Sequence, residues 1–231
     1  MISVSIPEVL WIASIILTML PLSIYIFKYP KFREYLHLHL TGVMLTISLA
    51  FDCIGFYFVK KHIHTTFLYN VYDLLQFIIL SWFYYDISFK KTDEIKNQTK
   101  AIFVSGTTFY LLTLIAISFL YQNPVTQHQN LMWTISSMIL IIYGFMYFND
   151  LVVTLPLRKN MHIDSLFLIN AGLIYFFVFT LLLFFMQEYI LKNLHPDTYK
   201  LIWSYNSLNN IIKNVLIAIG LGFFPVSKNR L

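Results

Sequence analysis

Seven long apolar segments alternate with short polar stretches along the 231 residues of the chain. Each segment has about the 20 residues that an α-helix needs to cross the hydrocarbon core of a bilayer. The connections are short and rich in charged residues and histidines. The pattern therefore predicts an all-α polytopic membrane protein that forms a single transmembrane domain over residues 1–231. The predicted spans are 7–28, 37–59, 67–89, 101–121, 131–153, 165–190 and 200–223.

Composition strengthens this interpretation. Hydrophobic residues make up 58% of the chain and charged residues only 12%, whereas about a quarter of a soluble domain is charged. The mean hydropathy is +0.68. The net charge of +5 would suggest a nucleic-acid partner in a soluble protein, but here the basic residues lie in short loops beside apolar segments. This is the charge pattern of membrane topology, so we expect a lipid environment and no nucleic acid.

The distribution of Lys and Arg between alternate loops predicts the orientation, because cytoplasmic loops carry an excess of these residues. Eleven fall on one side of the predicted bundle and four on the other. The larger set predicts an N-terminus outside and a C-terminus in the cytoplasm. It contains Lys28, Lys31, Arg33, Lys90, Lys91, Lys96, Lys100, Arg158, Lys159, Lys228 and Arg230, and the smaller set contains Lys60, Lys61, Lys192 and Lys200.

Three charged residues lie well inside predicted spans, where a charge is costly and marks a functional candidate. Lys213 falls near the middle of the last span, Asp52 slightly to the outer side of the middle of the second, and Asp73 farther out in the third. Either aspartate is a candidate partner for the lysine. Other acids lie near span ends, where anchoring or capping is the simpler role: Glu8, Asp86, Asp150 and Glu188.

Amides and hydroxyls surround these charges on single helical faces. Trp203, Asn206, Asn210, Lys213 and Asn214 share a face of the last span; Asn70, Asp73 and Gln76 share one on the third; and Ser48, Asp52 and Gly55 align on the second. This clustering predicts an outer-half cavity for a small polar or ionic ligand, lined by Asp52, Asp73, Asn206, Asn210 and Lys213. The alternative is purely structural, because amides and hydroxyls also join neighbouring helices as packing contacts.

The sequence offers no motif for catalysis or metal binding. His37 and His39, like His62 and His64, are spaced i,i+2, and such pairs point apart on a helix. A zinc site favours i,i+4 spacing or a third nearby ligand. Cys53 is the single cysteine, which excludes an internal disulfide and a cysteine-based metal site. We therefore expect no enzyme activity, no metal and no cofactor.

A weak internal repeat is suggested by the third and seventh segments, where YNVYDLLQFII aligns with SYNSLNNIIKN. Ser14 aligns with Ser136, and Tyr25 with Tyr147. These matches predict a 3+1+3 pseudo-repeat, and chance similarity between apolar helices is the alternative.

The chain resembles small seven-helix bacterial membrane proteins without an assigned activity, which share an aromatic and amide-rich third span, as in YNVYDLLQF, and a last span like LNNIIKNVLIAIG. That resemblance implies a fold and a location in the bacterial inner membrane, and no chemistry. Lys213 with Asp73 or Asp52 is also similar to the retinal lysine and counter-ion of rhodopsins, but the sixth span lacks their Trp and Pro. The 3+1+3 pattern is similar to that of PQ-loop transporters, yet no Pro-Gln pair occurs.

Two functional hypotheses remain beside the structural one. The first is a sensor or accessory membrane subunit that binds a ligand at the cavity and signals to a protein partner through loops 90–100 and 154–164. The second is a small-solute or proton-coupled transporter that uses the same polar residues. Retinal binding through Lys213 is a minor alternative.

Overall fold

The computed structural model describes residues 6–32, 34–88, 93–120, 129–154, 165–193 and 196–224. Over these ranges the chain forms seven α-helices, as the apolar pattern predicts. They are α1 (Ile6–Phe32), α2 (Leu36–Lys60), α3 (Thr66–Ser88), α4 (Asp93–Leu120), α5 (Gln129–Thr154), α6 (Ser165–Asn193) and α7 (Pro196–Phe223). Helix ends agree with the predicted spans to within a few residues, except that α4 and α7 begin earlier.

Five of the described helices are long and apolar enough to cross a membrane. Their apolar stretches are Ile6–Phe32, Leu36–Lys60, Lys100–Ile117, Leu131–Val152 and Ser165–Met186. The helices α3 and α7 have 23 and 28 residues, which is long enough to cross at a rise of about 1.5 Å per residue. Their amide and charged side chains lower their hydropathy. These helices therefore support a membrane protein. That α3 and α7 also cross the membrane remains a prediction.

Six helices form a closed ring in the order α1, α2, α3, α5, α6 and α7, with α7 packed against α1. The helix α4 packs against α3 and α5, on the outside of this ring. We call one end of the bundle the Phe32 end, where α1 finishes and α2 begins, and the opposite end, where α2 finishes and α3 begins, the Lys60 end. The charge count predicts that the Phe32 end faces the cytoplasm.

The distribution of polar and apolar side chains is inverted relative to a soluble protein. Phe27 is 88% exposed and Phe185 is 80% exposed, whereas Thr18, Asn170 and Asn214 are each 0% exposed. Water favours the opposite arrangement, because burial of a polar group is costly unless it is paired. A hydrocarbon solvent accounts for both features, since it accepts exposed phenylalanine and drives polar groups to bond with each other inside the bundle.

The ends of the ring are held by charged and aromatic contacts. Asp86 of α3 accepts hydrogen bonds from the His37 backbone N–H, at 3.2 Å, and from His37 Nδ1, at 2.8 Å. This carboxylate therefore caps the start of α2 across helices, in line with the capping role predicted for it. At the same end, Lys28 Nζ donates to the Leu221 carbonyl at 3.0 Å, where a cation complements the negative end of a helix dipole. At the Lys60 end, Lys60 pairs with Glu8.

Candidate functional site

A ladder of amide–hydroxyl hydrogen bonds joins α7 to α1. The Nδ2 group of Asn210 donates to Ser14 Oγ at 2.7 Å, and that of Asn214 donates to Thr18 Oγ1 at 2.7 Å. Both helices use an i,i+4 spacing, so the two pairs follow one line along the contact. The ladder fixes the rotation of α7 about its axis. The Lys213 side chain then projects from the same polar face toward the bundle interior.

Lys213 is almost completely buried, with 1% of its surface exposed. Its ammonium nitrogen lies 4.3 Å from the centroid of the Phe176 ring on α6. The close approach of the two helices explains this contact, because a Cβ added at Gly172, one turn before Phe176, would lie 3.1 Å from the Lys213 carbonyl. Among the described residues, Nζ forms no salt bridge and no hydrogen bond.

Asp52 is the aspartate that acts on Lys213. Its carboxylate interacts electrostatically with the Lys213 ammonium and with the side chain of Asn210, although the two charges are too far apart for a salt bridge. The residue is half-buried, and its Oδ2 atom is buried with no hydrogen-bond partner in the described part of the chain. The site thus contains a buried cation and a buried carboxylate oxygen that face the same region without touching.

Asp73 belongs to a different cluster. It is 3% exposed and accepts hydrogen bonds from Tyr110 on α4, at 2.9 Å, and from Ser136 on α5, at 2.7 Å. Each carboxylate oxygen therefore has a hydroxyl donor, and no described cation pairs with this acid. Asp73 has these partners because α5 packs beside α3, and the sequence did not decide which acid would interact with Lys213. Of the two acids considered as partners for Lys213, Asp52 is the one that faces it.

Two further polar links lie on the faces predicted to line the cavity. Asn206 is half-buried, and its Oδ1 atom accepts a hydrogen bond from Thr180 on α6 at 3.2 Å. On α3, the Tyr72 hydroxyl lies 3.1 Å from Ser48 on α2 and accepts from Gln76 at 3.1 Å. Asn206 is therefore connected to the Asp52 region only by belonging to the same helix, α7. Tyr72 lies between α2 and the Asp73 cluster.

Sequence reasoning missed Asn170, which occupies the centre of another buried contact. Its Oδ1 atom accepts a hydrogen bond from the Tyr84 hydroxyl at 2.8 Å, and its Nδ2 group donates to the Gly144 carbonyl at 3.1 Å. One amide thereby joins α6 to both α3 and α5. The available signal was a lone amide in the apolar run LFLINAGLIYFF.

A groove of about 350 Å³ lies between α3 and α4, away from Lys213. Ser81, Phe103 and Thr107 are among its lining residues. Trp82 also lines it and is 54% exposed, so the groove opens to the lipid-facing side of the bundle. Among the described residues, no group of three or more His, Cys, Asp or Glu side chains is arranged to hold a metal ion.

Comparison with known proteins finds no matching family profile, no matching curated protein and no matching solved structure. The residues of the site are therefore the evidence for its function.

Proposed function

We propose that this membrane protein binds a small polar or ionic ligand between the inward faces of α2 and α7. The observation that carries the proposal is the Lys213 ammonium, which is 1% exposed and forms no salt bridge among the described residues. It interacts with the Asp52 carboxylate, whose Oδ2 atom has no hydrogen-bond partner there. Asn210 lies beside both charges. Asn206 lies farther toward the Lys60 end on the same face. We leave Asp73 out of the ligand site, because both of its oxygens already accept hydrogen bonds from the adjacent helices.

The energetics favour an additional molecule that binds both Lys213 and Asp52. A lysine at the centre of a membrane helix costs about 2.5–3.5 kcal/mol on insertion scales, and the contact with an aromatic ring returns about 0.5–2 kcal/mol. A buried carboxylate oxygen without a donor adds a further cost of about 1–3 kcal/mol. A ligand that provides polar groups to both Lys213 and Asp52 would remove much of this penalty. A ligand that removes this cost when it binds gains affinity as a result.

Burial along α7 indicates the route of entry. On its polar face Asn206 is half-buried, Asn210 is 9% exposed and Lys213 is 1% exposed, so the exposure of this face falls from the Lys60 end toward the middle of the bundle. The half-buried Asp52 lies on the same side of the middle. The site is therefore proposed to open at the Lys60 end. With the N-terminus outside and the C-terminus in the cytoplasm, as the charge count predicts, the ligand would enter from outside a bacterial inner membrane.

A binding protein of this kind would serve as a sensor or accessory subunit. The proposed partner surface is formed by the basic stretches 90–100 and 154–164, on the predicted cytoplasmic side. Residues 93–100 form the first turns of α4, whereas 89–92 and 155–164 lie outside the described residues. Co-purification of a specific membrane or cytoplasmic protein, lost when the basic residues of 90–100 are replaced by Ser, would support this role.

The test of ligand binding is thermal unfolding of the purified protein in lipid nanodiscs against a panel of small ions, amines, carboxylates and amino acids. A ligand that binds only the native state raises Tm according to its concentration and Kd. We expect at least one solute to stabilise the wild type and Lys100→Met, an exposed lysine control, but not Lys213→Met. If no solute shifts the wild-type Tm, the proposal is wrong. A rise in stability on combining Lys213→Met with Asp52→Asn would then identify these polar residues as packing elements.

Transport by the same residues is a second candidate, and the order of the ring supports it. Ser14 of α1 pairs with α7, and Ser136 of α5 pairs with Asp73 of α3. In each case the first helix of one predicted triplet contacts the third helix of the other, as a 3+1+3 repeat requires. Solute or proton uptake into proteoliposomes that is abolished by Lys213→Ala would favour transport over sensing.

A further inference from the structure

The Lys213 and Asp52 side chains lie at a similar depth in the bundle. The His37 ring on α2 lies 6.4 Å from the Phe224 ring at the end of α7, so these two positions are level at the Phe32 end. At about 1.5 Å per residue, the Asp52 backbone lies about 22 Å from this level and the Lys213 backbone about 16 Å. A helical side chain leans toward the N-terminus of its helix, so the lysine stem extends toward the level of Asp52.

The two charges interact at this depth but form no salt bridge with each other. The helix α1 packs against both α2 and α7, and its Ser14 hydroxyl binds the Asn210 amide. The helices α2 and α7 thus lie on either side of α1. Asp52 and Lys213 on their inward faces do not form a salt bridge. Opposite charges that interact without direct contact are complementary to a molecule that carries both charges itself.

From this arrangement we propose that the ligand is a small zwitterion, with a carboxylate for Lys213 and an ammonium for Asp52. The inference rests on the proposed function and specifies its ligand class. A simple anion at Lys213 would leave the Asp52 carboxylate unpaired and would be repelled by it. A simple cation at Asp52 would be repelled by Lys213 in the same way. A zwitterion gives each buried charge an opposite partner and adds no net charge to the bilayer interior.

The neighbouring groups fit the same class. The Asn210 amide donates to Ser14 and hydrogen-bonds the Asp52 carboxylate, which leaves its Oδ1 atom as an acceptor. The Asn214 Oδ1 atom is buried and has no partner among the described residues, next in sequence to Lys213. An amino group has several N–H donors to distribute between Asp52 and such acceptors. A carboxylate needs donors, which the lysine ammonium provides.

The experiment compares zwitterions with their singly charged halves. The probes are glycine, β-alanine and γ-aminobutyrate, which separate the same two charges by increasing lengths, and acetate and methylammonium, which carry one charge each. Thermal unfolding is followed in nanodiscs of wild type, Asp52→Asn, Lys213→Met and the control Asp73→Asn. We expect one member of the zwitterion series to raise the wild-type Tm by several degrees, with little effect from either half at the same concentration.

The variants give a readout that a packing role would not produce. Asp52→Asn removes the repulsion of anions, so acetate should become the better ligand, with at least a tenfold gain in its affinity relative to the zwitterion. Lys213→Met should shift preference toward methylammonium in the same manner. Asp73→Asn should keep the zwitterion preference of the wild type, because that carboxylate is bound by Tyr110 and Ser136.

Two results overturn the inference, and they separate it from the broader proposal. If acetate or methylammonium stabilises the wild type as well as every zwitterion, the site binds a single ion; the zwitterion is then wrong and the binding function stands. If no probe of either kind, and no solute of the wider panel, shifts the wild-type Tm, both proposals fail. Should Lys213→Met not fold, the selectivity change of Asp52→Asn alone decides between a zwitterion and a single ion.

Discussion

Replacement of Gly220 by alanine tests the close packing of α6 against α7, which positions Phe176 below Lys213. A Cβ at Gly220 would lie 2.7 Å from the Ser165 carbonyl oxygen and 2.8 Å from Ile169 Cγ1. The first of these contacts is with backbone, which cannot rotate away as a side chain can. The two helices must therefore separate at this point. Such overpacking costs about 1–3 kcal/mol.

Gly222, on the same helix, provides a matched control, since a Cβ added there meets no atom within 4 Å. Both substitutions replace glycine with a better helix former, a gain of up to about 1 kcal/mol, so most of any loss of stability in Gly220→Ala relative to Gly222→Ala is packing cost. We expect Gly220→Ala to be less stable than Gly222→Ala by about 1–3 kcal/mol, or about 2–4 °C in Tm per kcal/mol. Thermal unfolding in nanodiscs measures this difference. Equal melting temperatures for the two variants would show that the helices are not in contact at Gly220.

Three further substitutions test individual polar contacts, each by thermal unfolding in the same nanodiscs. A double-mutant cycle of Ser14→Ala and Asn210→Ala should give a coupling of about 0.6 kcal/mol, and a coupling of zero would mean that this ladder bond is absent. Asp86→Ala should destabilise the protein by about 1–3 kcal/mol, since it removes the acceptor for the backbone N–H and the Nδ1 group of His37; an unchanged Tm would contradict the cap. Asn170→Ala should cost about 1–3 kcal/mol, because it leaves a buried tyrosine hydroxyl without its acceptor, and a neutral effect would contradict the contact of α6 with α3.

The helices were predictable from the sequence because membrane insertion imposes a strong length and composition requirement. Segments such as 37–59 and 165–190 need no knowledge of their neighbours to be identified as helical. The capping role of Asp86 was also predictable in outline, since a carboxylate at a span end has helix starts nearby. What the periodicity could not give was the order of helices around the ring, including the position of α4 outside it.

The partner of Lys213 illustrates this limit. Asp52 and Asp73 both lie at suitable depths, and depth follows from sequence position alone. Which acid faces the lysine depends on the rotation of each helix and on its neighbours. Because α3 packs against α5 and α4, Asp73 is bound by Ser136 and Tyr110, while Asp52 is left beside α7.

Asn170 shows a different limit. A single amide in an apolar helix is as consistent with a packing contact as with a site, so the sequence provides no reason to select it. Its importance comes from Tyr84 and Gly144, which reach it from two other helices. Polar stripes of several residues, such as that on α7, are informative, whereas isolated polar residues are informative only once their neighbours are known.

The most direct test of the central claim is a density map of the protein in nanodiscs, at a resolution that shows side chains and ordered ligands, with the best probe added. The account predicts density for a non-protein molecule within hydrogen-bonding distance of both Lys213 Nζ and the Asp52 carboxylate, and the loss of that density in Asp52→Asn combined with Lys213→Met. A direct Asp52–Lys213 ion pair in a dry interior, with no molecule between the two side chains, would contradict it.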